Sequence, residues 1–160
     1  MKNMRIKGMM LFLMTALLFF PVKAEAVGIL DTTKEVTLTI SCKDGDRGIA
    51  NAGFEIYQIG GITEAAEIIP NAAFDGRLPK LRELSGSEWR DLTQELCQLT
   101  QGENLAPVDS GYTDENGMLR FPQDGKKLEQ GLYLIVGGSA RQNGYSYTLS
   151  SCLVFLPSED

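Results

Sequence analysis

Apolar and polar residues alternate along residues 35–42, which is the period-two pattern of a half-buried strand. One face would carry apolar side chains toward a core, and the other would carry hydroxyls toward solvent. The inward set is Val36, Leu38, Ile40 and Cys42, and the outward set is Thr37, Thr39 and Ser41. Strand composition recurs at residues 53–59, 118–121, 131–136 and 145–156. Turn sequences such as Asp114-Glu115-Asn116-Gly117 separate these segments.

One segment departs from this β pattern. Trp89, Leu92, Leu96 and Leu99 are spaced by three, four and three residues, which places them on one stripe of a helix that packs against a sheet. Ser85 and Glu88 fit a capping box at its start, and Gly102 fits a left-handed cap at its end. The chain is therefore predicted to be mainly β, a sandwich with one inserted α-helix at about 87–101.

The N-terminus has the pattern of a secretory signal peptide. Lys2, Arg5 and Lys7 precede an apolar run at residues 9–20 that is too short for a comfortable membrane span. The small residues Ala24 and Ala26 flank Glu25, so we expect cleavage between Ala26 and Val27, with cleavage after Ala24 or an uncleaved anchor as alternatives. Residues 1–26 are then the leader, and residues 27–160 form a single domain. The protein is predicted to be exported, with no stable membrane insertion after cleavage.

The charge of the exported chain argues against anionic partners. The leader holds four of the 15 basic residues and one of the 21 acidic residues, which leaves 11 basic against 20 acidic residues. Nucleic acid and anionic membrane surfaces would repel such a domain.

The sequence contains no histidine. This excludes Ser-His-Asp and Cys-His nucleophilic sites and most zinc or copper ligand sets, so we expect neither an enzyme nor a metal or other cofactor. The acidic pairs Asp44/Asp46 and Asp114/Glu115 lie in turn sequences, where carboxylates are common, and lack the ligand spacing of an EF-hand.

The three cysteines are informative in an exported chain, because disulfides can form outside the cytosol. Cys42 ends the first predicted strand on its inward face, and Cys152 shares the phase of Val154 and Leu156 in the last strand. We prefer a Cys42–Cys152 disulfide, which leaves Cys97 of the helix unpaired. The alternative is three reduced, buried thiols.

The order of these elements resembles the SpaA-like, collagen-adhesin B-type (Cna-B) domains of Gram-positive pilins and surface adhesins. The likeness covers residues 36–157. It rests on the segments LTISCKDGDRGIANAGFEIYQIG, TDENGMLRFPQDGKKLEQGLYLIV and NGYSYTLSSCLVFLP. It implies a prealbumin-like (Ig-like) β-sandwich with a structural or adhesive role at the cell surface, and partners among surface or pilus proteins or host and matrix ligands.

Many members of that family join the first strand to the last by a Lys-Asn isopeptide bond assisted by a buried acid. Here the lysine position falls at Cys42 or Leu38, the acid near Gly137, and the asparagine at Ser150 or Ser151, so the bond is expected to be lost. Lys43 is out of phase with the inward face and Asn143 precedes the last strand, so either would need a shifted register. The resemblance suggests that a Cys42–Cys152 disulfide replaces the isopeptide.

Two points of function stay open at this level. No LPxTG-type sorting signal follows Pro157, so the domain is expected to be either the N-terminal part of a longer surface protein or a short secreted relative. An alternative is that the protein is a secreted transthyretin-like or carboxypeptidase-regulatory-like module, whose function is to bind carbohydrate or peptide. In that case Tyr112, Tyr145 and Tyr147 are the candidate ligand contacts.

Overall fold

The computed structural model describes residues 31–32 and 34–157. The predicted leader and the predicted cleavage point between Ala26 and Val27 lie outside the described residues. Within the described part of the chain, no helix is both long enough and apolar enough to span a bilayer.

The described chain is mainly β, as predicted, with one α-helix among several sheets. Two short 3-10 turns, Ala72–Phe74 and Leu81–Glu83, precede the helix. The strands are β1 (Leu38–Ser41), β2 (Lys43–Asp44), β3 (Arg47–Gly48), β4 (Gly53–Ile62), β5 (Ile68–Pro70), β6 (Asp109–Tyr112), β7 (Met118–Phe121), β8 (Gly131–Gly137), β9 (Ser139–Gln142), β10 (Tyr145–Thr148) and β11 (Cys152–Leu156), and the helix is α1 (Gly86–Gly102).

The largest sheet is antiparallel and has the order β11-β8-β4-β5, with β6 also paired to β4. Its centre is the long β4–β8 ladder, in which Ile56 lies opposite Ile135. The run of residues 131–136 is apolar throughout because β8 is buried on both faces, by a second sheet on one side and by α1 on the other.

β1 and β7 form a second, two-stranded antiparallel sheet, with Ile40 opposite Leu119. Between the two sheets lies the inter-sheet core, in which Phe121 and Ile56 are fully buried. The alternation predicted for the first strand is confirmed: Val36 is buried, its inward successors are half-buried against this core, and the intervening hydroxyl residues are exposed or partly exposed. Two sheets that share one apolar core are consistent with a β-sandwich.

The helix prediction is confirmed at its start and along its stripe. Ser85 Oγ accepts a hydrogen bond from the Glu88 N–H, and the Glu88 side chain accepts one from the Ser85 N–H, which completes the capping box. Leu92 and Leu96 are buried in the helix-side core, which is the apolar cluster between α1 and the outer face of the large sheet. The predicted left-handed cap at Gly102 is wrong.

The chain leaves the helix in a different way. Gly102 belongs to α1, and Asn104 adopts the left-handed conformation with φ of 49°. Asparagine tolerates this region because its short polar side chain can bond to the local backbone. Leu105 then donates its N–H to the Thr100 carbonyl.

The single strand predicted for residues 145–156 is also wrong, because the segment divides into β10 and β11. Asn143 and Gly144 both have positive φ, 53° and 83°, which suits a tight hairpin turn that folds β10 back onto β9. The chain then crosses to the large sheet, where β11 pairs with β8. Strand-like composition continues through both segments, so it could not reveal the change of partner.

Candidate functional site

The first and last strands border a common groove, which we call the β1–β11 groove. It has a volume of about 470 Å³. Its walls are formed by β1 and by the connection from β10 to β11, and its floor includes Phe54 and Ile135 of the large sheet. Cys42 lies directly after β1 and Cys152 begins β11, so the two cysteines singled out from the sequence both line this groove.

The three cysteines are free thiols in this structure, so the Cys42–Cys152 disulfide is not formed here and the pairing stays a prediction. Cys42 is half-buried and Cys152 is exposed. Burial raises the pKa of the Cys42 thiol, because the thiolate would lose hydration. Burial also raises the pKa of Cys152, with a smaller contribution from the nearby Cys97. Neither environment favours a reactive thiolate, which requires a lowered pKa.

The positions aligned with the isopeptide of the resembling family lie around the same groove. Ser150 lines it together with the two cysteines, and Leu38 lies on its β1 wall. At the end of β8, the Gly137 N–H donates a 3.1 Å hydrogen bond to Ser151 Oγ. A side chain at Gly137 would collide with Leu149, so the acid of the family's bond has no room there.

Of the two shifted isopeptide partners, Lys43 also lines the β1–β11 groove, whereas Asn143 lies outside it. Lys43 is exposed in the short β2–β3 hairpin, and Asn143 is exposed in the turn between β9 and β10. The Asn143 backbone adopts positive φ, which favours asparagine in a type I′ turn without any chemical role. A structural reason therefore accounts for Asn143.

A second groove, the helix–β11 groove, lies on the opposite face of β11 and has a volume of about 520 Å³. Trp89, Thr93 and Cys97 line it from α1, and Leu153 lines it from β11. The Trp89 ring meets the Phe155 ring edge to face, with centroids 6.1 Å apart. This aromatic pair fixes the helix over the last strand.

Tyr57 lies in the helix-side core near this groove. Its hydroxyl donates a 2.7 Å hydrogen bond to Glu55 Oε2. Burial, followed by the Glu55 hydrogen bond and charge, raises the pKa of Tyr57 to about 12. A phenol held protonated in this way acts as a donor that orients the Glu55 carboxylate and is a poor general base at neutral pH.

Sequence reasoning missed the one buried carboxylate of the described chain. Asp109 begins β6, and its side chain is fully buried. It accepts hydrogen bonds from the N–H groups of Gln123 (2.7 Å) and Ser110 (2.9 Å) and from Lys126 Nζ (2.6 Å). Desolvation pushes its pKa upward, but these three donors outweigh that effect and hold the pKa below its usual value. Asp109 thereby anchors the β7–β8 loop to the start of β6.

Two of the exposed acidic side chains, Asp114 and Asp44, also have structural roles. Asp114 Oδ1 accepts from the N–H groups of Asn116 and Met118, which closes the predicted turn. Asp44 Oδ2 accepts from the Tyr147 hydroxyl at 3.1 Å. Among the described residues, no cluster of three or more His, Cys, Asp or Glu side chains could hold a metal ion.

The three candidate tyrosines do not line one groove. Tyr147 lines the β1–β11 groove, whereas Tyr112 lines a smaller one of about 190 Å³ beside Gly53. Tyr112 and Tyr145 are strongly exposed, at 72% and 68%. Each ring is thus available to a ligand, but the structure does not bring the three together.

Comparison with known proteins adds no identification: the chain matches no protein-family model, and no curated protein was found to be similar to it.

Proposed function

We propose that this chain is a non-catalytic structural or adhesive module of a Gram-positive cell-surface or pilus-like protein, with a prealbumin-like sandwich of the SpaA or Cna-B kind. Its partners would be other surface proteins or host and matrix ligands. The carrying observation is the β1–β11 groove, which the first and last strands both border. Cys42, Ser150 and Cys152 line this groove at or near the positions that hold the cross-link in the resembling family.

The site also supports a non-catalytic role. Burial raises the pKa of the Cys42 and Cys152 thiols and of the Tyr57 phenol, and the buried Asp109 accepts hydrogen bonds from three donors. Catalytic acids, bases and nucleophiles need pKa values near the working pH. These groups instead have the environments of packing and anchoring residues.

The first experiment is an accurate mass of the chain recovered from the medium or cell wall of a Gram-positive host that expresses the complete reading frame. Release of the leader should give an N-terminus at Val27. A loss of two hydrogens indicates a disulfide, which peptide mapping then assigns to Cys42 and Cys152 or to another pair; a loss of ammonia indicates an isopeptide, and an unchanged mass removes both. Retention of the chain in the cytosol would refute the proposed surface role.

The exposed rings of Tyr112 and Tyr145 favour one alternative, a secreted module that binds carbohydrate or peptide. Aromatic rings are common platforms for such ligands. A glycan and peptide array separates the two functions. Binding that disappears in Tyr145→Ser would favour the alternative, whereas adhesion to cells or matrix without any array signal would favour the structural module.

A further inference from the structure

The two edges of the large sheet differ in how they are protected. The edge opposite β11 is divided between two short strands, β5 with three residues and β6 with four, and β5 ends at Pro70. Short length and proline both discourage further strand pairing. At the opposite edge, β11 has five residues and no charged side chain. Within the described residues β11 pairs only with β8, so its outer row of backbone N–H and C=O groups faces outward.

The side chains beside the β11 edge are apolar on both faces. Leu153 packs with the helix-side core, and Phe155 is 39% exposed beside Trp89. Val154 and Leu156 pack against the inter-sheet core on the other face. The helix–β11 groove and the β1–β11 groove flank the same strand, one on each face. An added strand alternates its side chains between the faces and would fill both grooves.

The net charge of the chain limits where two copies of it can meet. The exported chain has nine more acidic than basic residues, so two copies repel one another over most of their surfaces. β11 and the preceding Ser150 and Ser151 are uncharged, so no charged side chain of this segment opposes its counterpart when two copies meet here. The groove beside Phe155 contains Glu67 and Glu83 but also Lys80 and Arg82, so it adds no net charge.

We propose that β11 pairs antiparallel with β11 of a second copy of this chain, about a twofold axis at Val154. In that register Val154 lies opposite its own counterpart, and Leu153 lies opposite the partner's Phe155. The Val154 pair lies on the axis and occurs once, whereas the Leu153–Phe155 contact occurs twice, as off-axis contacts do in an isologous interface. Leucine opposite an aromatic ring is a favourable cross-strand pair, and the pairing satisfies the free backbone groups of both edges. This inference does not depend on the proposed surface role.

The direct test is sedimentation of the reduced, exported chain over a range of concentrations. We expect a reversible dimer. Phe155→Lys should raise its dissociation constant at least about tenfold, because an ammonium group replaces the ring opposite the partner's Leu153. Ile69→Lys is the matched control, since Ile69 is 62% exposed on the opposite edge of the same sheet and should leave the constant unchanged. Circular dichroism establishes that each variant is folded.

The register is tested by Val154→Cys in a background of Cys42→Ser, Cys97→Ser and Cys152→Ser, with oxidised glutathione as the electron acceptor. Directly opposed Cα atoms in an antiparallel pair lie about 4.5–5.5 Å apart, within the range of a disulfide. The variant should form a cross-linked dimer, and Ile69→Cys in the same background should not.

A chain that stays monomeric at about 100 µM would overturn the proposal, since that concentration would populate even a weak dimer. A dimer that tolerates Phe155→Lys, one weakened equally by Ile69→Lys, or one that fails to cross-link through position 154 would overturn it as well.

Discussion

Replacement of Asp109 by asparagine should destabilise the fold without changing its shape. The carboxylate is fully buried and receives three donors, two backbone N–H groups and the Lys126 ammonium. Asparagine retains one acceptor oxygen but directs its NH₂ group toward donors on the other side. If its oxygen faces Ser110 and Lys126, the Gln123 N–H loses its acceptor.

The size of the stability loss follows from these three hydrogen bonds. A hydrogen bond to a charged group contributes about 1.5–3 kcal/mol, and a buried donor left without a partner costs about 1–3 kcal/mol. Because the two effects overlap at this site, we expect Asp109→Asn to lower the free energy of unfolding by about 2–4 kcal/mol at pH 7. Lys126→Met should cost less, about 1 kcal/mol, because the Lys126 side chain is 50% exposed and water screens its charge.

The stability lost in Asp109→Asn should be larger at neutral pH than at acidic pH. The pKa of Asp109 is lower in the folded than in the unfolded chain, so its stabilisation is complete above the unfolded value of about 3.9 and disappears as the pH falls through the folded value. The difference in the free energy of unfolding between wild type and Asp109→Asn should therefore be large at pH 7 and small below about pH 4.

Urea unfolding measures both effects, with Trp89, the only tryptophan, as the fluorescent reporter. Asp124→Asn is the matched control, because Asp124 is an exposed carboxylate in the same loop and should change stability by less than about 0.5 kcal/mol. The stabilising role of Asp109 is refuted if Asp109→Asn is as stable as this control. It is also refuted if the difference from wild type in the free energy of unfolding is the same at pH 7 and pH 3.

Three further substitutions probe the helix and the β2–β3 hairpin. Leu96→Ala should cost about 2–5 kcal/mol in urea unfolding, because Leu96 is fully buried in the helix-side core; a loss below 1 kcal/mol would contradict that packing. Ser85→Ala should cost about 1 kcal/mol through loss of the capping box, and an unchanged thermal midpoint would count against the cap. Gly48→Ala should disrupt folding, because the added Cβ would overlap the Asn116 backbone. Gly86→Ala, which meets no atom within 4 Å, should fold normally in the same solubility and circular dichroism assay.

Local patterns in the sequence predicted the elements that depend on neighbouring residues. The alternation from Val36 onward gave the inward face of β1, and the stripe that includes Leu92 and Leu96 gave the buried face of α1. The Ser85–Glu88 pair gave the start of the helix. These features depend on contacts between residues one to four positions apart, so the order of residues is sufficient to reveal them.

Other predictions failed or were missed because they depend on partners distant in the chain. The division of residues 145–156 is set by pairing with two different strands, β9 and β8, and the composition is strand-like on both sides of the division. Asp109 resembles any polar residue near a turn until the fold brings Gln123 and Lys126 to it. Carboxylates were expected in turns, and none was expected to be buried.

For the cysteines, some features were determined by the sequence and others only by the tertiary structure. The sequence by itself determined the inward phase of Cys42 and placed Cys152 in the last strand. The structure brought both to the walls of the β1–β11 groove and also placed Cys152 beside the groove that contains Cys97. Periodicity reports which way a side chain points but not which strands become neighbours. Only the packing of the two sheets and α1 left β11 at an edge, with a groove on each face.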